Sequence, residues 1–197
     1  MFYKLIILPV LALSILASCT NSQPNVATDA SVLADQTASD STVKPATKPA
    51  EKIKWLTIEQ AAARMKQEPR KVVIDVYTDW CGWCKKMDKS TFTDPEVAAL
   101  VNKHYYAVKL DAEGKDPITL NGHTYTFKTE YRSHELAVAL LQGQMSYPTT
   151  VYLDEKFNMI APVPGYLDAK NFSKILRYFG EDHHKQMNFK EYEKEDR

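Results

Sequence analysis

The chain has 197 residues, room for one ordinary domain plus appendages. Lys and Arg total 25 and Asp and Glu total 25, so the formal charge is zero; this argues against a nucleic-acid partner, because phosphate recognition needs a basic surface. An apolar share of 44% suffices for a core, although it is unevenly spread.

The chain starts MFYKLIILPVLALSILASC. Lys4 supplies a short positive region, and Leu5 to Leu16 form an apolar run interrupted by Pro9. The run is too short for a comfortable membrane span and reads as a targeting signal. Its end, Leu16-Ala17-Ser18-Cys19, resembles the bacterial lipoprotein signal, which implies cleavage before Cys19, lipidation of that cysteine and attachment to a membrane surface. The alternatives are an ordinary signal peptide cut near Ala17 and an uncleaved anchor. Three cysteines are an odd number for an exported chain. With Cys19 lipidated, Cys81 and Cys84 are each other's only intramolecular partners.

Thr20 to Glu51 is rich in Ser, Thr, Ala, Asp and Pro and lacks aromatics. Such a segment buries too little apolar surface to offset its ordering entropy, so it reads as a flexible tether. A tether of roughly 30 residues has a typical reach on the order of 30 Å.

Order is expected from about Ile53. Thr57-Ile58-Glu59-Gln60 has the form of a capping box, which predicts a helix to about Gln67, ended by Pro69. Lys71 to Tyr77, KVVIDVY, is a β-branched run of strand length; its near-continuous apolar character predicts a central strand covered on both faces, with Asp75 the exception. The cysteines follow directly, in a segment of helix-forming composition. Asp94-Pro95-Glu96 supplies an N-cap, a proline at the first helical position and a first-turn acid, predicting a helix to about Lys103. Tyr105 to Ala112 is the next strand.

Further along, Asn121-Gly122 between alternating residues predicts a hairpin. Glu135 to Leu141 reads as helical. Tyr147 to Val163 then predicts two antiparallel strands around a turn near residues 154–158. Asp168 caps a last amphipathic helix, with Phe172, Ile175, Leu176 and Phe179 on one side and Gly180 as its stop. The charged segment over 181–197 reads as a solvated, frayed tail. The chain thus divides into a leader (1–18), a tether (19–51), an α/β domain (52–180) and the tail.

Cys81-Gly82-Trp83-Cys84 admits several chemistries. A zinc site needs more ligands than one pair, and His183 and His184 are adjacent on the tail without the usual spacing. Haem attachment requires His after the second cysteine, where Lys85 stands. A structural disulfide would close a very small loop, where the entropic gain is least. A redox pair fits best: a cysteine at a helix start faces unsatisfied N–H groups that favour the thiolate, and a partner one turn inside, more shielded, can resolve a mixed disulfide.

The stretch VVIDVYTDWCGWCKKM resembles the active-site strand, loop and helix of the thioredoxin superfamily, with similarity from about Ile53 to Gly180. The resemblance implies a central mixed β-sheet flanked by helices. It implies a buried acid at Asp75, paired with Lys109 and relaying protons for Cys84. It implies a cis proline at Pro148 within Tyr147-Pro148-Thr149, and it aligns Gly165 with the glycine after the last strand. Cys81 and Cys84 become the catalytic pair. Trp80, Gly82, Trp83, Tyr147, Pro148 and Thr149 become the substrate-binding surface, and no organic cofactor or metal is required.

Three departures from plain thioredoxins stand out, one of them the lipid tether. The middle dipeptide is Gly82-Trp83, a position that tunes redox potential. An extra segment of about 114–133, holding the hairpin, precedes the proline loop; it either shapes partner choice or decorates an edge. The expected function is disulfide reduction on exported proteins in the bacterial cell envelope, facing the periplasm or other extracytoplasmic space and fed by a membrane thiol donor. A disulfide oxidase or isomerase, and a partner-binding module, are the alternatives.

Overall fold

The structure is a computed structural model, described over residues 51–195. The leader, Cys19 and the tether up to residue 50 lie outside the described residues.

In chain order the strands and helices are β1 (Trp55–Leu56), α1 (Ile58–Met65), β2 (Lys71–Tyr77), α2 (Gly82–Lys89), α3 (Pro95–His104), β3 (Tyr105–Asp111), β4 (Ile118–Leu120), β5 (His123–Tyr125), β6 (Phe127–Lys128), β7 (Ser133–His134), α4 (Glu135–Leu140), β8 (Thr149–Leu153), β9 (Met159–Pro164), α5 (Ala169–Gly180) and α6 (Phe189–Glu195). The main sheet has five strands in the order β1-β3-β2-β8-β9. β1, β3 and β2 run parallel, whereas β8 and β9 are antiparallel additions. β2 is central, and Lys71 to Val76 are all buried. β9 tolerates Pro162 and Pro164 because it is an edge strand, where a missing N–H costs no ladder bond.

The two faces of the sheet carry separate cores. Val73 and Ala107 pack with Met87, Phe92, Val97, Phe172 and Leu176 under α2, α3 and α5. Val72, Ile74, Val76 and Val108 pack with Ile58, Ala61, Leu136 and Leu140 under α1 and α4. Strand alternation therefore turns Asp75 to the same side as Val73, toward α2.

The predicted caps form. Thr57 and Gln60 make both bonds of the capping box. The Asp94 carboxylate accepts from the Glu96 and Val97 N–H groups, and Asp168 accepts from Asn171. Each such cap is worth about 1 kcal/mol.

One expectation at the C-terminal end needs correction, the frayed tail. α5 ends at Gly180 as expected, without a left-handed turn at the glycine. A Cβ there would lie 3.0 Å from the Tyr105 hydroxyl and 3.1 Å from His104, so any larger residue would crowd both side chains. The left-handed residue is Asp182, at φ 64°. The segment beyond it folds back instead of fraying. Phe189 and Tyr192, three apart on α6, share a face; the Tyr192 ring lies 5.3 Å from Tyr178, whose hydroxyl donates to the Met187 carbonyl at 2.8 Å. Charged composition hid this aromatic contact.

Candidate active site around the Cys81–Cys84 disulfide

β2 delivers the chain to a short turn, and Cys81 then occupies the N-cap of α2. Its Sγ accepts the Cys84 N–H at 3.1 Å and is disulfide-bonded to Cys84. The first turn of a helix leaves N–H groups unsatisfied, and sulfur fills one of them here. On reduction the same donor and the helix dipole favour a thiolate on Cys81 over one on Cys84. The expected contrast in shielding is small: Cys81 is 4% exposed and Cys84 2%.

Behind the cysteines, Asp75 is 1% exposed and stands in register with Lys109 on β3. Lys109 Nζ donates to Asp75 Oδ2 at 2.7 Å and also bonds Asp88 of α2. Asp75 Oδ1 is buried with no hydrogen-bond partner among the described residues. Burial pushes the Asp75 carboxyl above the ordinary carboxylate value, and the neighbouring ammonium only partly opposes this. Burial pulls the Lys109 ammonium down, but Asp75 and Asp88 together lift it above its ordinary value. The rings of Trp55, Tyr77 and Phe92 surround the ammonium at 5.0, 5.1 and 5.0 Å.

The front of the site is aromatic. Trp80 is 66% exposed and Trp83 56%. Trp80 meets Tyr147 edge-on at 5.8 Å and donates its indole N–H to Glu113 at 3.1 Å. Trp83 leans on Tyr166 at 5.1 Å, with the Lys86 ammonium above both rings. Gly82, first in α2, has open space around it.

The Tyr147–Pro148 bond is cis. Pairing of Val76 with Thr149 carries Pro148 alongside Tyr77, at the mouth of the cysteine loop. The Pro148 carbonyl accepts the N–H of Gly165, which sits at φ +99°, a conformation that favours glycine. Thr149 departs from the expected substrate surface: its side chain is buried and donates to the Ser146 carbonyl, so it shapes the loop from within.

Three participants escaped the sequence reading. Asp88 lies one helical turn after Cys84, so helical spacing was an available signal. Glu113 and Tyr166 reach the site through tertiary contacts that local spacing does not encode. Among the described residues, no three His, Cys, Asp or Glu side chains converge as a metal-ligand set.

A strand, a Cys-x-x-Cys turn at a helix N-terminus and a facing cis-proline loop on this mixed sheet define a thioredoxin-fold protein. Residues 58–180 match the family model described as a thioredoxin-like domain. The chain belongs to that family.

Among curated proteins, the thiol:disulfide interchange protein DsbD of Citrobacter koseri is 28% identical over 122 residues, covering 61% of this chain and 18% of that protein. The protein of the same name from Cronobacter sakazakii is 30% identical over 121 residues, covering 60% and 18%. The matched region is thus less than a fifth of these relatives' length. A solved structure of a DsbH oxidoreductase superposes with a TM-score of 0.51 at 17% identity, covering 68% of this chain and 90% of that one; this likeness speaks for the fold.

Proposed function

We propose that this protein is a thiol–disulfide oxidoreductase of the bacterial cell envelope, working as a reductase of disulfides in exported proteins. The observation that carries the reading is the Cys81–Cys84 disulfide on the α2 N-terminus with a buried Asp75, paired with Lys109, in the strand behind it. The DsbD relatives, whose name states thiol:disulfide interchange, support the same chemistry.

The cycle follows from these positions. In the reduced protein, the Cys81 thiolate attacks one sulfur of a substrate disulfide. That bond breaks, a mixed disulfide forms, and the substrate's other sulfur leaves as a thiolate that takes a proton. Cys84 gives its proton to Asp75 and attacks Cys81 Sγ; the Cys81–substrate bond breaks, and the second substrate sulfur leaves as a thiolate that takes the proton from Asp75. The substrate gains two electrons and the protein is left with the Cys81–Cys84 disulfide. Lys109 holds Asp75 in place and moderates its affinity for the proton. Pro148, Trp80, Trp83 and Tyr147 present the substrate backbone.

Regeneration requires an external dithiol donor, for which a membrane-bound thiol protein is the source proposed here. No organic cofactor or metal enters, because the cysteine pair carries both electrons. Lipidation at Cys19 would hold the domain at the membrane through the tether. No described helix is long and apolar enough to cross a membrane.

A Cys84→Ser variant tests the mechanism. It should accumulate substrate proteins as mixed disulfides on Cys81 that dithiothreitol releases. A partner retained without any covalent link when both cysteines are serine would instead favour a binding module.

A further inference from the structure

The chain leaves the ordinary fold between β3 and α4, and this excursion is anchored at the mouth of the site. At its neck, the Ala112 N–H donates to the Tyr77 carbonyl at 2.8 Å, and the His134 N–H donates to the Ala112 carbonyl at 2.7 Å. The first end of the excursion is therefore tied to Tyr77, the last residue of β2 and four positions before Cys81, and the second end is tied to the first. The buried His134 secures the neck further: its Nδ1 accepts the Leu136 N–H and its Nε2 lies 3.1 Å from the Asp116 carbonyl.

Each end also reaches an aromatic ring at the site. Glu113, just past the neck, accepts the Trp80 indole N–H at 3.1 Å, and its own N–H is held by the Asp111 carboxylate at 2.9 Å. Ser133, buried at the other end, lies beside the Tyr147 hydroxyl. Trp80 and Tyr147 touch each other edge-on. One ring precedes Cys81 and the other precedes Pro148. A Trp that is two-thirds exposed would otherwise sample several rotamers and lose that freedom when substrate docks.

We propose that the 112–134 excursion is a brace that fixes Trp80 and Tyr147 as one wall of the groove for an extended polypeptide, and that Glu113 is its positioning residue. This rests on the exchange activity proposed above. Glu113 acts through Trp80 and not on the sulfurs, so it governs how a polypeptide disulfide docks and leaves the intrinsic reactivity of Cys81 untouched. A small aryl disulfide, which needs only the sulfur, should not sense it.

The test compares Glu113→Ala and Glu113→Gln in the full chain, with insulin turned over on dithiothreitol and the uncharged aryl disulfide 2,2′-dithiodipyridine reacted with the prereduced protein. Losing one neutral-to-charged hydrogen bond that preorganises the wall should raise the insulin KM about fivefold, with kcat within about twofold. The aryl disulfide rate should stay unchanged. Glutamine keeps an acceptor oxygen and should restore the insulin KM. The Trp80 indole N–H resonance, assigned with Trp80→Phe, should shift and exchange faster with water in Glu113→Ala but not in Glu113→Gln. An unchanged insulin KM and Trp80 resonance in Glu113→Ala, or a parallel loss on both substrates, overturns the proposal. If the wild type reduces neither disulfide, the activity reading fails, while the Trp80 resonance still decides for or against the brace.

Discussion

Replacing Lys109 with methionine isolates the charge pair behind the cysteines. Methionine keeps much of the stem that packs among Trp55, Tyr77 and Phe92 but removes the ammonium donated to Asp75 at 2.7 Å. Breaking a fully buried pair costs about 3–5 kcal/mol. Lys109 keeps a quarter of its side chain exposed and also serves the more exposed Asp88, so solvent screening lowers the expectation to about 2 kcal/mol at pH 8. The pH dependence has a definite sign. Burial already raises the Asp75 carboxyl above the ordinary 3.8, and Lys109 restrains the rise. A raised acid supports the fold below its ordinary value and loses that support as pH climbs through the folded-state value. Without Lys109 the loss is larger, so the penalty should grow from a small value near pH 4 to its full size at pH 8. Lys109 is itself raised above 10.5, so it stays charged throughout this window, and the pH dependence between pH 4 and 8 comes from Asp75 alone. Urea unfolding of the oxidised protein, followed by tryptophan fluorescence at several pH values, measures the difference. A penalty independent of pH, or one below about 0.5 kcal/mol at pH 8, would refute the buried-pair argument.

Asp75→Asn removes a carboxylate that must ionise in a buried place. It should stabilise the oxidised protein by about 1 kcal/mol at pH 8 and not near pH 4, while slowing resolution of a preformed mixed disulfide by at least tenfold; unchanged resolution would remove Asp75 from proton handling. Gly180→Ala should destabilise by about 1–2 kcal/mol in urea, because crowding against Tyr105 and His104 exceeds the gain in helix propensity. A stabilising alanine would show that the contact yields easily. Gly165→Ala meets no neighbour, so its expected loss of about 1–2 kcal/mol would report backbone strain at φ +99° alone.

Much of this architecture was legible because its signals are local. KVVIDVY announced a buried central strand, and the antiparallel β8–β9 pair followed from a short turn flanked by β-branched runs. Asp75, Lys109 and Pro148 became legible only through the spacing they share with the thioredoxin superfamily. The remaining features are tertiary. Glu113 meets Trp80 across 33 positions and Tyr166 meets Trp83 across 166 − 83 = 83, so no local window contains either pair. Gly180 was legible as the end of its helix, but its close approach to Tyr105 and His104 is tertiary and was not. The 181–195 segment looked solvated by composition, but two aromatics on one helical face suffice to dock it.

The central claim is reversible two-electron exchange by Cys81 and Cys84 in the reducing direction. Equilibrating the protein against thiol redox buffers, with Trp80 and Trp83 as fluorescent reporters, measures its reduction potential. One reversible two-electron transition is expected at a reducing potential, nearer the roughly −270 mV of thioredoxin than the roughly −120 mV of a dedicated oxidant. A potential at the oxidising end, or no reversible transition, would contradict it.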